Sequence, residues 1–215
     1  MTCSDVRHVF LIIILLCTAL NSRSQTFSAD TVSDEVFARM QGYSFPQGCT
    51  VAREDLRYLR ISHYDGKGQE RVGEMVCNKC IADDLLDIFE KLYQARYPIE
   101  RMELIDNYEA DDERSMSANN TSCFCFRAVA GSAKLSKHAM GLAVDVNPLY
   151  NPYVKMRKDG TLFVQPKAGS NYLDRKKRFP YMIVKGDLLY QLFIAHGFTW
   201  GGSWRSLKDY QHFEK

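Results

Sequence analysis

Hydrophobic positions recur with three different spacings along this chain, and each spacing predicts a different element. The first is an uninterrupted run. Uncharged, mostly apolar residues fill positions 9–20, behind Arg7 and His8 and ahead of Ser22-Arg23-Ser24. A basic start, a short apolar core and small residues at a cleavage point mark a secretory signal peptide, and the run falls short of the roughly 20 residues of a membrane span. Residues 1–24 are expected to be removed before Gln25. Cys17 invites a lipoprotein reading, but Leu16 before it is bulky. An uncleaved anchor is the alternative, and the only route by which this sequence would engage a membrane.

Beyond that run, residues 33–40 read as a short helix ended by Gly42. Tyr58-Leu59-Arg60-Ile61-Ser62-His63 alternates with the period of a half-buried strand, Asp65-Gly66-Lys67-Gly68 has turn chemistry, and Arg71-Val72-Gly73-Glu74-Met75-Val76 returns. A hairpin is predicted. Ile81, Leu85, Ile88, Phe89 and Leu92 fall at helical spacing, and Pro98 closes the segment. Strands are expected at residues 101–106, 123–129 and 142–146, with a polar loop at 111–120. Residues 151–178, rich in Lys, Arg, Gly and Pro, are expected to form a long irregular connection. Leu188, Leu189, Leu192 and Phe193 predict a last helix stopped by Gly197, with short strands at Thr199-Trp200 and Gln211-His212-Phe213-Glu214. This mixed order argues α+β rather than a doubly wound sheet. The expected division is residues 1–24 as signal peptide, 25–76 as a helix and hairpin packed on the same domain, and 77–215 as the segment carrying chemistry.

Composition narrows the class. Of 215 residues, 46% are hydrophobic and 25% charged, which excludes a disordered chain or a low-complexity fibre. Lys plus Arg is 28 against 26 for Asp plus Glu, a net charge of +2, so no electrostatic case exists for a nucleic-acid partner. Cys49, Cys77, Cys80, Cys123 and Cys125 follow residue 24. In an oxidising compartment some are expected to pair, and an odd number leaves at least one over. Cys77-Asn78-Lys79-Cys80 has the spacing of a zinc knuckle or a redox pair, but no second such pair follows. A structural disulfide, or two buried thiols, is the simpler reading.

The chemistry lies in the second half. In Ser136-Lys137-His138-Ala139-Met140-Gly141-Leu142-Ala143-Val144-Asp145, an imidazole nitrogen and a carboxylate oxygen are available to one divalent cation. On a strand, Ala143, Asp145 and Asn147 share a face, and Gly141 and Ala143 keep it clear of bulk. Asp209-Tyr210-Gln211-His212-Phe213-Glu214 offers His212 as a third ligand, with Asp209 three residues before it. Three protein ligands leave one tetrahedral position open, as in catalytic zinc sites. Asp209 is then the candidate base and Arg127 the candidate positive charge for a developing oxyanion. His63 and His196 read as a strand-face and a helix-end residue. By spacing alone the metal site and an ordinary surface remain equally open.

Taken together, Ser136-x-His138-x-x-Gly141-x-Ala143-x-Asp145 and Asp209-x-x-His212-Phe213-Glu214 resemble the paired signature of the zinc peptidoglycan peptidases, the VanY-type D-alanyl-D-alanine carboxypeptidases and related L-alanyl-D-glutamate endopeptidases. Asp112, Ser115-Met116, Asn119-Asn120-Thr121-Ser122, Asn147-Pro148, Asn151-Pro152-Tyr153 and Trp200-Gly201-Gly202-x-Trp204 are similar too, from about Cys77 onward. The resemblance implies one zinc on His138, Asp145 and His212, Asp209 as general base, and Arg127 on a carbonyl oxygen or a substrate carboxylate. It implies Ser136 and Trp204 at the substrate side of the site, with Trp200 and Trp204 shaping a cleft or packing in the core. It further implies a single α+β domain with a central antiparallel sheet and flanking helices. The expected substrates are peptidoglycan stem peptides, met in the periplasm or outside a bacterial cell. Cys123-Phe124-Cys125-Phe126 departs from the pattern expected before Arg127, and Asn120-Thr121-Ser122 also fits a glycosylation sequon. A non-catalytic zinc module of the Hedgehog-like fold is the alternative, and a disulfide-rich binding protein ranks behind it. Oligomeric state is open.

Overall fold

In the computed structural model, which describes residues 25–129 and 133–215, the chain enters through a strand that the hydrophobic pattern did not announce. The expected signal peptide lies outside the described residues. Strand β1 (Phe27–Thr31) pairs antiparallel with β2 (Leu56–Tyr64), which pairs antiparallel with β3 (Glu70–Asn78). The predicted hairpin forms, longer at both ends. Its two faces diverge as period-two alternation requires. Leu59, Ile61 and Met75 belong to the main core with Leu85, Ile88, Phe89 and Leu92 of helix α2 (Ala82–Gln94). Leu56 and Val76 join a smaller cluster with Val36 and Met40 of helix α1 (Asp34–Met40). Ser33 caps α1 by accepting from the Val36 amide, and Asp83 and Asp84 sit in the first turn of α2, where negative charge suits the helix dipole.

The middle of the chain departs from expectation. The strand expected over residues 101–106 is only β4 (Arg101–Met102), followed by a 3-10 turn at Ile105–Tyr108. The expected loop at 111–120 contains helix α3 (Asp112–Ser117), because the Asp111 carboxylate caps it by accepting from Arg114 N. Strand β5 (Asn120–Thr121) then runs parallel to β4. Residues 123–129 form no named strand. The amides of Phe124, Cys125 and Phe126 go to the carbonyls of Val76, His138 and Ser44, three separate segments rather than one neighbouring strand. That crossing ties the hairpin, α1 and the His138 segment together.

After β6 (Ala143–Asp145), the segment expected to be irregular folds into a second hairpin, β7 (Tyr153–Met156) and β8 (Leu162–Gln165), with Gly160 at φ +82° in its turn. Asp159-Gly160 between alternating residues was the available signal. Helix α4 (Leu188–Ala195) starts at the Asp187 cap and ends before Gly197 at φ +82°, as the spacing predicts. Strands β9 (Thr199–Trp200), β10 (Lys208–Asp209) and β11 (His212–Glu214) finish the chain. The mixed α+β arrangement holds, with strands divided among three antiparallel three-stranded sheets ordered β1-β2-β3, β10-β7-β8 and β6-β11-β9, beside the parallel pair β4-β5. One apolar cluster joins the first and third of these sheets, from Leu59 to Phe213.

The expected pairing of cysteines is not met: all five in the described residues are free thiols. Cys77 and Cys123 sit in the main core, where burial pushes their thiols up. Asn120 is fully buried, and its amide donates to the Glu103 carbonyl and to Ser115 Oγ, so the sequon is closed to glycosylation in the folded protein. Its neighbours act likewise. Asn119 accepts from Leu149 N, Asn147 accepts from Glu100 N and donates to the Pro98 carbonyl, and Asn151 donates to the carbonyls of Asn147 and Tyr181 while accepting from Ile183 N. Buried amides thus hold the segments on either side of β6.

Candidate metal centre and its surroundings

Strands β6 and β11 pair with His212 opposite Asp145 and Glu214 opposite Ala143, so these four share a face. Phe213 and Val144 take the other face and enter the core, where Phe213 stacks on Phe193 at 4.3 Å between ring centroids. His138 arrives from a 3-10 turn, His138–Met140, that Gly141 ends at φ +66°. A Cβ at Gly141 would lie 2.6 Å from Asn78 N, whose amide donates to the Gly141 carbonyl. This glycine therefore serves the approach to β3 rather than a clear ligand face.

His138 Nε2, His212 Nδ1 and the two Asp145 oxygens converge. The separations are 3.2 Å from His138 Nε2 to Asp145 Oδ2, 3.1 Å from His212 Nδ1 to Asp145 Oδ1, and 3.2 Å between the two ring nitrogens. All three residues are buried, and they are the one group of metal-ligand type among the described residues. Outer partners fix the rings. His138 Nδ1 donates to the Cys123 carbonyl at 2.7 Å, and His212 Nε2 donates to Glu214 Oε2 at 3.0 Å. With those protons placed outward, two nitrogen lone pairs and a carboxylate face one another and no donor lies between them. Such a centre can hold a cation, and the donor set fits zinc.

The electrostatics agree. Burial opposes a charged His212, yet the hydrogen bonds to Asp145 and Glu214 push its pKa up to about 10, so without a metal a proton fills the gap. Burial likewise opposes ionisation of Asp145, but the two imidazoles override it and hold the carboxyl well below its ordinary range.

Asp209 stands beside this centre on β10. Gly201 allows the approach: a Cβ there would lie 2.7 Å from the Asp209 carbonyl oxygen and 3.3 Å from His212 Cβ. Burial lifts the Asp209 pKa to about 7, against the pull of His212 and Arg127. Its Oδ1 is buried without a hydrogen-bond partner. Arg127 Nε lies 2.6 Å from Asp112 Oδ2, an ion pair without the alignment of a hydrogen bond, and its charge reaches both Asp145 and Asp209. Ser136 is buried, its Oγ accepting from His138 N at 3.2 Å and its own amide donating to the Arg127 carbonyl. Trp204 tilts over His212 at 5.3 Å between centroids, whereas Trp200 is a core residue whose Nε1 donates to the Tyr210 carbonyl. His63 Nδ1 donates to the Ile99 carbonyl, His196 pairs with Asp87, and Cys77 and Cys80 join no metal-binding group among the described residues, so none adds to the centre.

Two residues here were not singled out for a role by the pattern. Glu214 lies two positions from His212 on one strand, the same period that groups Ala143 with Asp145, so its place behind the imidazole was legible. Asp112 had no local signal, because only α3 brings it to Arg127.

Residues 130–215 match a family model described as D-alanyl-D-alanine carboxypeptidase. The matched segment contains Ser136, His138, Asp145, Trp204, Asp209 and His212, and begins just after Arg127. No curated protein and no solved structure matches the chain.

Proposed function

We propose, from the match of residues 130–215 to the D-alanyl-D-alanine carboxypeptidase family model, that this protein is a zinc-dependent peptidase that cleaves the stem peptides of peptidoglycan. The observation that carries the zinc reading is the meeting of His138 Nε2, His212 Nδ1 and Asp145 with both ring protons directed outward. A zinc ion held there would supply a Lewis acid and a water acidified to a pKa of about 7. Asp209 Oδ1, buried and unpartnered, accepts the proton of the attacking water and returns it to the leaving amine. A pKa lifted by burial suits that double task, since the group must hold the proton between the two steps. Arg127, fixed by Asp112, stabilises negative charge on the carbonyl oxygen or binds a substrate carboxylate. Ser136 supports the His138 turn, and Trp204 walls the substrate side. Export across a bacterial cytoplasmic membrane, supported by the run at positions 9–20, would bring the enzyme to this substrate.

The test is incubation of the zinc-loaded protein with a defined stem pentapeptide, products being identified by mass spectrometry. Loss of one terminal D-alanine makes it a carboxypeptidase, and release of a peptide beginning with D-glutamate makes it an endopeptidase. Tight binding of wall fragments without cleavage would replace this reading with a Hedgehog-like binding module.

A further inference from the structure

The sheet that carries Asp209 continues away from the metal centre, and one of its faces has a composition that the reaction above does not use. Directly opposed residues of an antiparallel pair share a face. Asp209 opposes Tyr153, Tyr153 opposes Gln165, and Lys155 opposes Phe163, which sets all five on one face. Ring contacts extend it: Tyr153 meets Phe163 edge-on at 6.0 Å, and the Arg157 guanidinium lies 4.9 Å over Phe163. Lys155 and Arg157 are exposed and make no ion pair among the described residues. Asp159, the one acid of the hairpin turn, accepts from the Thr161 amide and hydroxyl at Oδ1. The other face carries Val154, Met156, Leu162 and Val164, with Lys208 opposite Val154.

Charge is concentrated here. Residues 151–185 hold nine Lys or Arg against two Asp, in a chain whose net charge is only +2. A strand rises about 3.3 Å per residue, so Lys155 and Arg157 stand roughly 7 and 13 Å beyond Tyr153, the partner of Asp209. An extended peptide with its reacting bond beside Asp209 therefore presents side chains about two to four residues away to these cations.

We propose that this face of the β7-β8 hairpin is a substrate subsite for an acidic peptide segment, with Tyr153 and Phe163 as its floor and Lys155 and Arg157 as the groups that receive a carboxylate. The proposal rests on the peptidase reading for the direction in which the substrate runs. It makes the hairpin a specificity element: a peptide with a free glutamate carboxylate is preferred over the same peptide with that group converted to a carboxamide.

Calorimetric titration of the metal-free protein with the stem pentapeptide L-Ala-D-Glu-L-Lys-D-Ala-D-Ala, and with its glutamate-amidated form, reads binding apart from turnover. The acidic peptide should bind about tenfold more tightly, one charge-assisted contact, and the preference should shrink as salt rises. Lys155→Gln with Arg157→Gln should abolish the preference while leaving affinity for the amidated peptide unchanged. In the zinc-loaded enzyme the same double variant should raise KM for the acidic peptide with kcat unchanged. Equal binding of the two peptides by wild type, or a preference that survives in the double variant, overturns the subsite. Cleavage without preference would sink the subsite alone, and preference without cleavage would sink the peptidase reading alone.

Discussion

Across β2, β3 and α2, Leu59, Ile61, Met75, Leu85, Ile88 and Phe89 meet as apolar side chains almost wholly removed from water. Around the metal centre, by contrast, the backbone is held by the buried amides of Asn119, Asn120, Asn147 and Asn151, and the side chains that meet are imidazoles and carboxylates. Burial of a large apolar side chain contributes about 1.5–3 kcal/mol without demanding a particular angle. A buried amide contributes less net energy, yet it fixes position, because leaving either partner unpaired costs about 1–3 kcal/mol. The first region supplies stability, and the second converts it into placement. The same contrast shows in what each tolerates. Charge is confined to the rim of the hairpin sheet, as where Glu74 pairs with Arg39 and accepts from the Tyr58 hydroxyl. The site keeps Asp209 buried with an oxygen unpaired and Arg127 in an ion pair with Asp112.

The sharpest separation should come from Asp209→Asn. General-base catalysis is typically worth about 100- to 10,000-fold, so kcat should fall by that range while zinc content stays stoichiometric. In the metal-free protein, burial lifts the Asp209 pKa to about 7, above an unfolded value of about 3.9. A raised carboxyl pKa penalises the folded state increasingly as pH climbs from about 4 towards 7. The variant should therefore melt no lower than wild type at pH 8, and higher if that burial is uncompensated. Unchanged kcat with intact zinc would remove Asp209 from the mechanism. A lower melting temperature would show that the carboxylate supports the fold instead.

Phe89→Ala tests the other region. Phe89 is 1% exposed and meets Phe193 edge-on at 6.3 Å. Its truncation should cost about 3–5 kcal/mol in denaturant unfolding, transfer and cavity terms together. The folded fraction should still bind one zinc and keep wild-type kcat. Loss of metal affinity in protein shown to be folded would mean that the hairpin core and the site are not separable.

This division also explains what could be read from sequence. The apolar periods of α2 and of the β2-β3 hairpin predicted the first region nearly to its ends, because packing there follows a local repeat. Near the site that repeat gives out. Residues 123–129 alternate as a strand would, yet the amides of Phe124, Cys125 and Phe126 go to three different segments, and residues 151–178 hid a hairpin behind their Lys and Arg. The short paired strings around His138 and His212 were legible instead as a resemblance, since liganding residues are set by chemistry rather than by burial. The pairing of Arg127 with Asp112 was legible by neither route, and the cysteines, expected to pair, are free thiols, of which Cys77 and Cys123 fill apolar space.

The smallest effect, and the finest test of the contrast, belongs to Glu214. It is not among the three converging residues, but its Oε2 accepts from His212 Nε2 at 3.0 Å and so leaves Nδ1 facing Asp145. Outer carboxylates of this kind make an imidazole a better donor, and their loss typically weakens metal binding by about 10- to 100-fold. Glu214→Gln keeps an oxygen to receive the Nε2 proton, so the ring stays in place and only the negative charge is lost. Zinc affinity measured by competition with a chelator should fall towards the lower end of that range, with melting of the metal-free protein little changed, while Glu214→Ala should fall towards the upper end because the ring is also released. Equal affinity in wild type and both variants would mean that Asp145 and the two imidazoles are held by the fold alone. The polar region would then owe its geometry to the buried amides behind β6, and not to the strand face on which His212 and Glu214 stand together.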